Sequence, residues 1–351
     1  MKKIAYIELD THAEIARNFM ELMKDSKVFS VDYYFSEKIS NQISEKLSNV
    51  YVTESSAILN QLKNKNYDLV IIGTVHRYFN VFKKIISSFN TSIIVHNLNF
   101  STISKSQLFL NILKRDFIYR LKLLLKERLF SAPNVFKNTK NLLVLDESLI
   151  QQNKNLELKF LSVFFNEIQN PFINKVFTVV IPGTVSQKRR DYLHIIKRIK
   201  SVSSNQNFQF VFLGKATGKE LFWLREFERN KPENLSIKYF TEKVSQSIFD
   251  EWMQKADVLW CPIQKETEFF SQKEIYGKTK MSGNIGDSIK YGKKAIFPAD
   301  FSTDYLFIHR ENTEVFQQLF QLKKEQSFNF QNDYHKDIIL RNLEKQLVKL
   351  L

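Results

Sequence analysis

Three consecutive cations follow a glycine turn near the middle of the chain. The apolar run from Val176 to Ile181 ends at Pro182, and Gly183 and Thr184 come next. The cations are Lys188, Arg189 and Arg190. In an open α/β sheet, ligands bind beyond the carboxyl ends of strands, where glycine allows close approach and helix N-termini attract phosphate. Arg offers paired donors to phosphate oxygens and Lys adds a point charge, so we predict that this segment binds a diphosphate. The alternative is a solvated first helical turn, although the helix dipole disfavours cations there.

A glycine-rich segment in the C-terminal half predicts backbone contacts with a ligand. Three of the eight glycines fall between Gly277 and Gly286, and the predicted strand from Lys294 to Pro298 follows. Such a loop lets backbone amides face an anion. Asp287 stands at the predicted start of a short helix, where its carboxylate either caps the helix or accepts hydrogen bonds from ribose hydroxyls. The candidate ligand-binding residues of this segment are Lys278, Thr279, Lys280, Ser282, Gly283, Asn284, Ile285 and Asp287.

Another glycine follows a second apolar run. Gly214 and Lys215 come directly after the run from Phe210 to Leu213. This glycine either admits a ligand or is needed only for the conformation of the turn.

Three histidines lie just beyond predicted strands of the N-terminal half. Asp10 and His12 follow the first strand, His76 follows the strand from Asp68 to Gly73, and His96 lies at the end of the next. We expect them to cluster at one edge of the sheet, facing a cleft between two domains, as candidate substrate-binding residues. Ordinary hydrogen-bonded loop histidines are the alternative.

The elements that position these residues are short apolar strands alternating with helices, which is typical of parallel sheets covered on both faces. The predicted fold class is α/β, with two Rossmann-like domains facing each other across a cleft. The strands of the first half are predicted at Lys3 to Leu9, Val31 to Phe35, Asp68 to Gly73, Ser92 to Asn97 and Asn141 to Asp146. Those of the second half are predicted at 176–181, Phe208 to Leu213, Ile237 to Phe240, Val258 to Pro262 and Ala295 to Phe297.

The domain boundaries follow from these two series of strands. We predict an N-terminal acceptor domain over residues 1–168, a C-terminal donor domain over 169–330 and an amphipathic helix over 331–351. The polar segment from Asn166 to Asn174, which contains Pro171, is the predicted hinge.

A long basic helix is predicted between Ser106 and Arg128. Its apolar stripe consists of Leu110, Leu113, Phe117, Leu121 and Leu124. Six cations surround this stripe: Lys114, Arg115, Arg120, Lys122, Lys126 and Arg128. Such a helix either lies on an anionic membrane or packs normally with a solvated basic face.

Composition narrows the functional classes. A chain of 351 residues exceeds the usual limit of one hydrophobic core. The net charge of +15 favours an anionic partner, which could be a nucleic acid, a phosphorylated small molecule or a membrane surface. The single cysteine, Cys261, fits a reducing cytoplasm, and neither an export signal nor an apolar run of 18 residues is present.

Several familiar motifs are absent. The sequence contains no Asp-x-Asp motif and no zinc-ligand spacing, and the P-loop-like Gly277-Lys278-Thr279 lacks the required glycine at Gln272. We therefore expect neither a metal nor a cofactor. The sequence also contains no recognised nucleic-acid-binding motif, so we expect no nucleic-acid partner.

The order of these segments over residues 176–300 resembles the donor domain of retaining GT-B glycosyltransferases of family 4. The resemblance implies that Lys188 and Arg189 or Arg190 neutralise the nucleotide diphosphate, and that the amides of Gly283, Asn284 and Ile285 bind phosphate. It maps the second Glu of the family's Glu-x7-Glu motif onto Asp287, as a ribose contact. The first Glu falls on Thr279, and Glu274 is an alternative acidic group. The resemblance also implies that His76 and His96 lie near the donor sugar or the acceptor, with His96 as a catalytic residue.

The predicted function is transfer of a sugar from a nucleotide diphosphate sugar to a glycan or lipid-linked acceptor in bacterial surface polysaccharide synthesis. The resemblance implies a retaining, metal-independent enzyme. We expect a cytoplasmic protein with peripheral contact to the inner face of the cell membrane. Two alternatives stay open: a nucleotide-sugar epimerase of the same fold and a basic nucleic-acid-binding protein.

Overall fold

The computed structural model describes residues 1–44, 47–166, 174, 176–201, 206–325 and 328–351. The strands are β1 Lys2–Glu8, β2 Phe29–Phe35, β3 Val50–Val52, β4 Leu69–Ile72, β5 Thr91–Ile94, β6 Asn141–Val144, β7 Leu158–Phe160, β8 Phe177–Pro182, β9 Phe208–Lys215, β10 Leu235–Phe240, β11 Val258–Trp260, β12 Glu266–Phe269, β13 Gln272–Ile275, β14 Ala295–Phe297 and β15 Ile308–Arg310. Pro171, at the predicted hinge, lies outside the described residues.

Helices connect most of these strands. They are α1 Ala13–Met23, α2 Glu37–Ile43, α3 Ile58–Lys63, α4 Phe79–Ser88, α5 Leu98–Ser101, α6 Lys105–Ile112, α7 Phe117–Glu127, α8 Ala132–Asn138, α9 Ser148–Gln152, α10 Tyr192–Lys200, α11 Gly218–Arg229, α12 Gln246–Lys255, α13 Gly283–Tyr291, α14 Val315–Lys324, α15 Phe330–Tyr334 and α16 Lys336–Val348. A 3-10 turn, Leu129–Ser131, precedes α8.

The contacts of the chain divide it into two compact units, neither of which is continuous in sequence. The first unit contains residues 1–165, 268–281 and 336–351, and the second contains 166–267 and 282–335. The hairpin of β12 and β13 and the terminal helix α16 therefore complete a unit that begins at the N-terminus. In α16 the apolar side chains of Ile339, Leu343 and Leu347 are buried.

The first unit is built on a seven-stranded parallel sheet in the order β3-β2-β1-β4-β5-β6-β7. Its central strands are apolar because helices cover both faces, and every residue of β4 and β5 is buried. All five strands predicted for this half are present. The edge strands β3 and β7 contain three residues each, too few to give a periodic signal.

The second unit contains a six-stranded parallel sheet in the order β10-β9-β8-β11-β14-β15. The strand order reverses between β8 and β11. In open parallel sheets this switch point is where ligands bind, beyond the carboxyl ends of the strands. The five strands predicted for this half are present, and the polar edge strand β15 was not predicted.

The long helix predicted from Ser106 to Arg128 is wrong, because two helices occupy that segment. The break lies at Asp116, which has a left-handed φ of 49°. Arg120 supplies the physical reason: its buried guanidinium donates to the carbonyl of Asn111 near the end of α6, and to Ser271 Oγ at 2.9 Å. A free carbonyl at a helix end needs such a donor.

Candidate functional site

Arg190 lies at the switch point of the second unit. Its Nη2 donates to Asn284 Oδ1 at 3.3 Å, and its buried Nε has no hydrogen-bond partner among the described residues. Gly183 has a φ of 104°, and a Cβ built there would lie 2.3 Å from Arg190 Nη2. Only glycine permits this close approach of backbone and guanidinium. The arrangement leaves a partly buried cation with unused donors at the place where parallel sheets bind ligands.

The backbone around the three cations is fixed by the segment that follows β11. Asp191 N donates to Pro262 O at 2.7 Å, and Gln264 N donates to Arg189 O at 2.9 Å. Helix α10 begins after these cations, with Asp191 as its N-cap accepting from His194 N at 3.1 Å. The alternative that the cations form the first turn of a helix is therefore wrong, and the dipole argument does not apply to them. Lys188 and Arg189 are exposed, in contrast to Arg190.

Asp287 does not cap α13. Ser282 is the N-cap of that helix, with its hydroxyl accepting from Asn284 N at 3.4 Å, and Asp287 lies one turn further on. Asn284 Nδ2 donates to Asp287 Oδ2 at 3.0 Å while Asn284 Oδ1 accepts from Arg190. The buried amide of Asn284 thus connects the cation and the carboxylate at the switch point. Of the three amides expected to bind phosphate, those of Asn284 and Ile285 already donate to Ser282.

Gly214 is explained by packing. Strand β9 continues through Lys215, so Gly214 is buried within the strand and does not begin a loop. A Cβ there would lie 2.2 Å from the carbonyl oxygen of Gly183. The glycine allows two backbone segments to touch, which favours the conformational alternative. Thr184 and Lys215 are both exposed.

The three N-terminal histidines do form a cluster, which we call the histidine cluster: His12, His76 and His96. The rings of His12 and His96 stack with centroids 3.9 Å apart, and His76 lies 6.2 and 6.1 Å from them. His12 has a left-handed φ of 62°, and its Nδ1 lies 3.0 Å from Glu14 Oε1. Asp10, also predicted here, accepts from Lys38 Nζ through its carbonyl oxygen.

Two of these histidines are neutral. Burial lowers the pKa of His76 to about 3 and holds the pKa of His96 well below its usual value, with His12 adding to both effects. His96 Nε2 lies 2.9 Å from Gly73 O, and His76 Nε2 lies 3.1 Å from Asn97 Nδ2. Neutral imidazoles can exchange a proton with a bound hydroxyl group or hydrogen-bond to it.

The glycine-rich loop is shorter than predicted, because helix α13 begins at Gly283 and includes Gly286. Residues 277–281 lie in the first unit, and α13 begins the contribution of the second unit. Thr279 Oγ1 accepts from Ile275 N at 2.8 Å and closes this turn, while Lys278 is exposed. Lys280 Nζ donates to Asn97 Oδ1 at 2.6 Å and to His96 O at 3.3 Å. The structure thus brings Lys280 to the histidine cluster.

Glu274 is an unsuitable replacement for the missing glutamate of the family motif. Its side chain is fully buried, and its oxygens accept from Phe100 N at 2.9 Å and Asn99 N at 3.3 Å. Burial raises the pKa of this carboxyl. Its hydrogen bonds cap the start of α5, so it stabilises the loop that follows β5.

Sequence reasoning missed two residues around the histidine cluster. Asn97 contacts both His76 and Lys280. Its position just after a strand end could have identified it as a site residue from the sequence. Glu8 is a buried acid within the apolar strand β1, which is itself an unusual pattern. Over the described ranges, no group of three or more His, Cys, Asp or Glu side chains is arranged to hold a metal ion.

Comparison with known proteins gives the fold. No protein-family model matches the sequence, and no curated protein matches it. A glycosyltransferase from Rickettsia africae superimposes with a TM-score of 0.62 at 11% identity, covering 99% of this chain and 98% of that one. Anabaena HepE, solved in complex with UDP, gives 0.61 at 9% identity, with 99% and 100% covered. The UDP-GlcNAc 2-epimerase from Neisseria meningitidis, bound to UDP-GlcNAc, gives 0.54 at 11% identity, with 99% and 100% covered.

The chain has the GT-B fold. This confirms the predicted fold class, with one parallel α/β sheet in each unit. At such low identities the GT-B fold alone is shown, and membership of family 4 stays a prediction. No helix among the described residues is long and apolar enough to span a membrane.

Proposed function

We propose that this protein is a glycosyltransferase that moves a sugar from a nucleotide diphosphate sugar to a glycan or lipid-linked acceptor in bacterial surface polysaccharide synthesis. The observation that carries the proposal is the set Arg190, Asn284 and Asp287 at the switch point of the second sheet. A cation suited to a diphosphate and a carboxylate suited to ribose hydroxyls are joined there by one buried amide. Similar folds are seen with UDP or a UDP-sugar bound, which supports uridine as the first base to test.

In this proposal the second unit stabilises the leaving group. Negative charge develops on the diphosphate as the bond to the sugar breaks, and a fixed guanidinium at that position lowers the barrier. Arg190 is the best placed of the three predicted cations because it is partly buried, where charges are less screened than at the surface. Lys188 and Arg189 contribute only through longer-range attraction.

The histidine cluster is proposed to receive the sugar or acceptor hydroxyl groups. His96 and His76 are neutral, and Lys280 provides a positive charge beside them. His12 is held by Glu14, an arrangement that orients an imidazole for proton transfer. We propose that transfer is retaining and independent of metal. The anomeric proton of the product, observed by NMR, tests whether transfer is retaining. Activity that persists in EDTA would support independence of metal.

A thermal-shift screen of nucleoside diphosphates and nucleotide sugars tests the donor proposal. A ligand present at 100 times its Kd stabilises a protein by about 2.7 kcal/mol, which shifts Tm by several degrees. We expect stabilisation by UDP or another nucleoside diphosphate but not by the free nucleoside, and loss of the shift in Arg190→Ala. Absence of any shift across the panel would refute the proposal.

An epimerase is the second candidate, because the similar folds include a UDP-GlcNAc 2-epimerase. Such an enzyme changes the nucleotide sugar without any acceptor. Incubating the donor alone and following its sugar by NMR separates the two functions, since isomerised nucleotide sugar arises only from an epimerase.

A peripheral membrane contact is proposed for α6 and α7. Seven large apolar side chains of this segment are exposed, which we call the α6–α7 patch: Phe109, Leu110, Leu113, Phe117, Ile118, Tyr119 and Leu125. Exposed cations surround it: Lys105, Lys114, Arg115, Lys122, Lys126 and Arg128. Exposed apolar area rimmed by cations suits the interface of an anionic bilayer. The same patch on a second copy would bring like charges together, which disfavours self-association.

Vesicle co-sedimentation tests this contact separately from catalysis. We expect binding to vesicles containing phosphatidylglycerol and much weaker binding to purely zwitterionic vesicles. Replacing Phe117 and Ile118 with Ser should weaken binding, while the matched change of exposed Phe222 to Ser in α11 should not. Equal binding by both variants would show that the α6–α7 patch is not the contact.

A further inference from the structure

Glu8 is a buried carboxyl next to the histidine cluster, and the proposed reaction does not use it. It is the last residue of β1 and is only 1% exposed. Its Oε1 accepts from the backbone N–H groups of Asp10 and Thr11 at 3.2 and 3.4 Å. Its Oε2 accepts from Thr74 Oγ1 at 2.8 Å. One side chain therefore joins the loop that leads to His12 with the loop that leads to His76.

Glu8 also packs against the residue that holds the third histidine. A Cβ at Gly73 would lie 2.5 Å from Glu8 Oε2, and the carbonyl oxygen of Gly73 is the partner of His96 Nε2. The carboxyl group thus accepts from Thr11, one residue before His12, and from Thr74, two residues before His76. It also packs against Gly73, whose carbonyl oxygen is the partner of His96.

Among the described residues, no cation forms an ion pair with this carboxyl group. None of the ion pairs within the described ranges includes Glu8. Two further hydroxyls in the same region, Tyr6 Oη and Thr11 Oγ1, are buried without a hydrogen-bond partner in the described chain. A buried, unpaired carboxylate is costly, so the neutral acid is the form that such a site favours.

We propose that Glu8 is a positioning residue that holds the two loops on which the rings of the histidine cluster stack. Ionisation places a negative charge behind these loops, next to the carboxylate of Asp10, and so changes the electrostatic surroundings of the stacked rings. The importance of Glu8 for sugar transfer rests on the proposed function.

The surrounding charges set the direction of the pH effect. The titratable and charged groups that face this region are Tyr6, Asp10, His12, Glu14, Tyr33, Lys38, His76, His96 and Lys280. Burial raises the pKa of Glu8 from 4.5 to about 8, while the hydrogen bond from Thr74 lowers it. Neutral Glu8 is therefore the main form at pH 7, and ionisation follows near pH 8.

Imidazole NMR of the full-length protein, titrated from pH 5 to 10, tests this proposal without any substrate. We expect resonances of His12, His76 or His96 to show an inflection near pH 8 that is missing from Glu8→Gln. The chain contains three other histidines as internal controls: His194, His309 and His335, all in the second unit. An inflection that persists in Glu8→Gln, or no inflection in the wild type, would overturn the proposal.

A second variant keeps the test valid if Glu8→Gln fails to fold. Thr74→Val preserves the shape of the side chain but removes the hydrogen bond that favours the ionised form, so the inflection should move to higher pH. An unchanged inflection in Thr74→Val would overturn the proposal. The histidine resonances are measured without substrate, so they test the role of Glu8 even if the protein is not a glycosyltransferase. Conversely, a negative result for Glu8 would not affect the measurements of nucleotide binding.

Discussion

Arg190→Ala should weaken binding of a nucleoside diphosphate far more than binding of the free nucleoside. The guanidinium has one bond to Asn284 and a buried Nε that no described residue satisfies, so donors are available for phosphate oxygens. A hydrogen bond to a charged group contributes about 1.5–3 kcal/mol. Since 1.4 kcal/mol corresponds to a factor of ten, one lost contact should raise Kd for UDP by roughly 10- to 150-fold.

The chain offers a matched control for this change. Arg189 carries the same charge one position earlier but is exposed, so Arg189→Ala should cost less than about 1 kcal/mol. Arg190→Lys should recover only part of the affinity, because a single ammonium cannot reproduce paired guanidinium donors. Isothermal titration with UDP and uridine measures all three variants, and Tm monitors folding. Equal losses for Arg189→Ala and Arg190→Ala, or equal losses of UDP and uridine binding, would refute the assignment.

Three further perturbations follow from the same structure. Asp287→Asn should lower donor affinity, because an amide keeps only one acceptor oxygen for the ribose. Tm should not change, because Ser282 and not Asp287 caps α13. Unaltered affinity would remove Asp287 from the site. Gly214→Ala should destabilise the protein by about 1–3 kcal/mol in urea unfolding, because its Cβ would overlap the backbone of Gly183. Gly283→Ala should be far milder, because a Cβ there meets nothing within 4 Å. Equal effects of the two changes would contradict the packing of Gly214 against Gly183. Finally, the folded protein holds a proton on Glu8 up to about pH 8, whereas the unfolded chain releases it above the ordinary pKa of 4.5. The free energy of unfolding of the wild type, relative to that of Glu8→Gln, should therefore fall by several kcal/mol between pH 4.5 and about 8. A difference between the two proteins that does not vary with pH would count against this prediction.

The sequence predicted those features that depend on local pattern. Apolar runs located ten strands and both parallel sheets, because buried strands are continuous in hydrophobicity. Strand ends then placed Gly183 and the histidine cluster correctly at sheet edges, since parallel strands share one carboxyl end.

Features that depend on distant residues could not be predicted in this way. The break between α6 and α7 contains neither Gly nor Pro and depends on Arg120 reaching Asn111 and Ser271. The connection of Arg190 to Asp287 passes through Asn284, 94 positions away from Arg190. Local glycine content also does not reveal that residues 277–281 belong to the first unit and Gly283 to the second.

The return of the hairpin of β12 and β13 to the first unit has a consequence for synthesis on the ribosome. Phe269 and Phe270 pack against the first hydrophobic core, with Phe270 stacked 5.4 Å from Phe100, and Glu274 caps α5. These residues emerge more than 100 positions after the strand β7 that ends the first sheet. The N-terminal part therefore cannot complete its core until most of the later unit has been translated, and until then its aromatic surface is exposed. During this interval the nascent chain is most prone to aggregation and to chaperone binding. A fragment ending at residue 168 would remain permanently in that unfinished state.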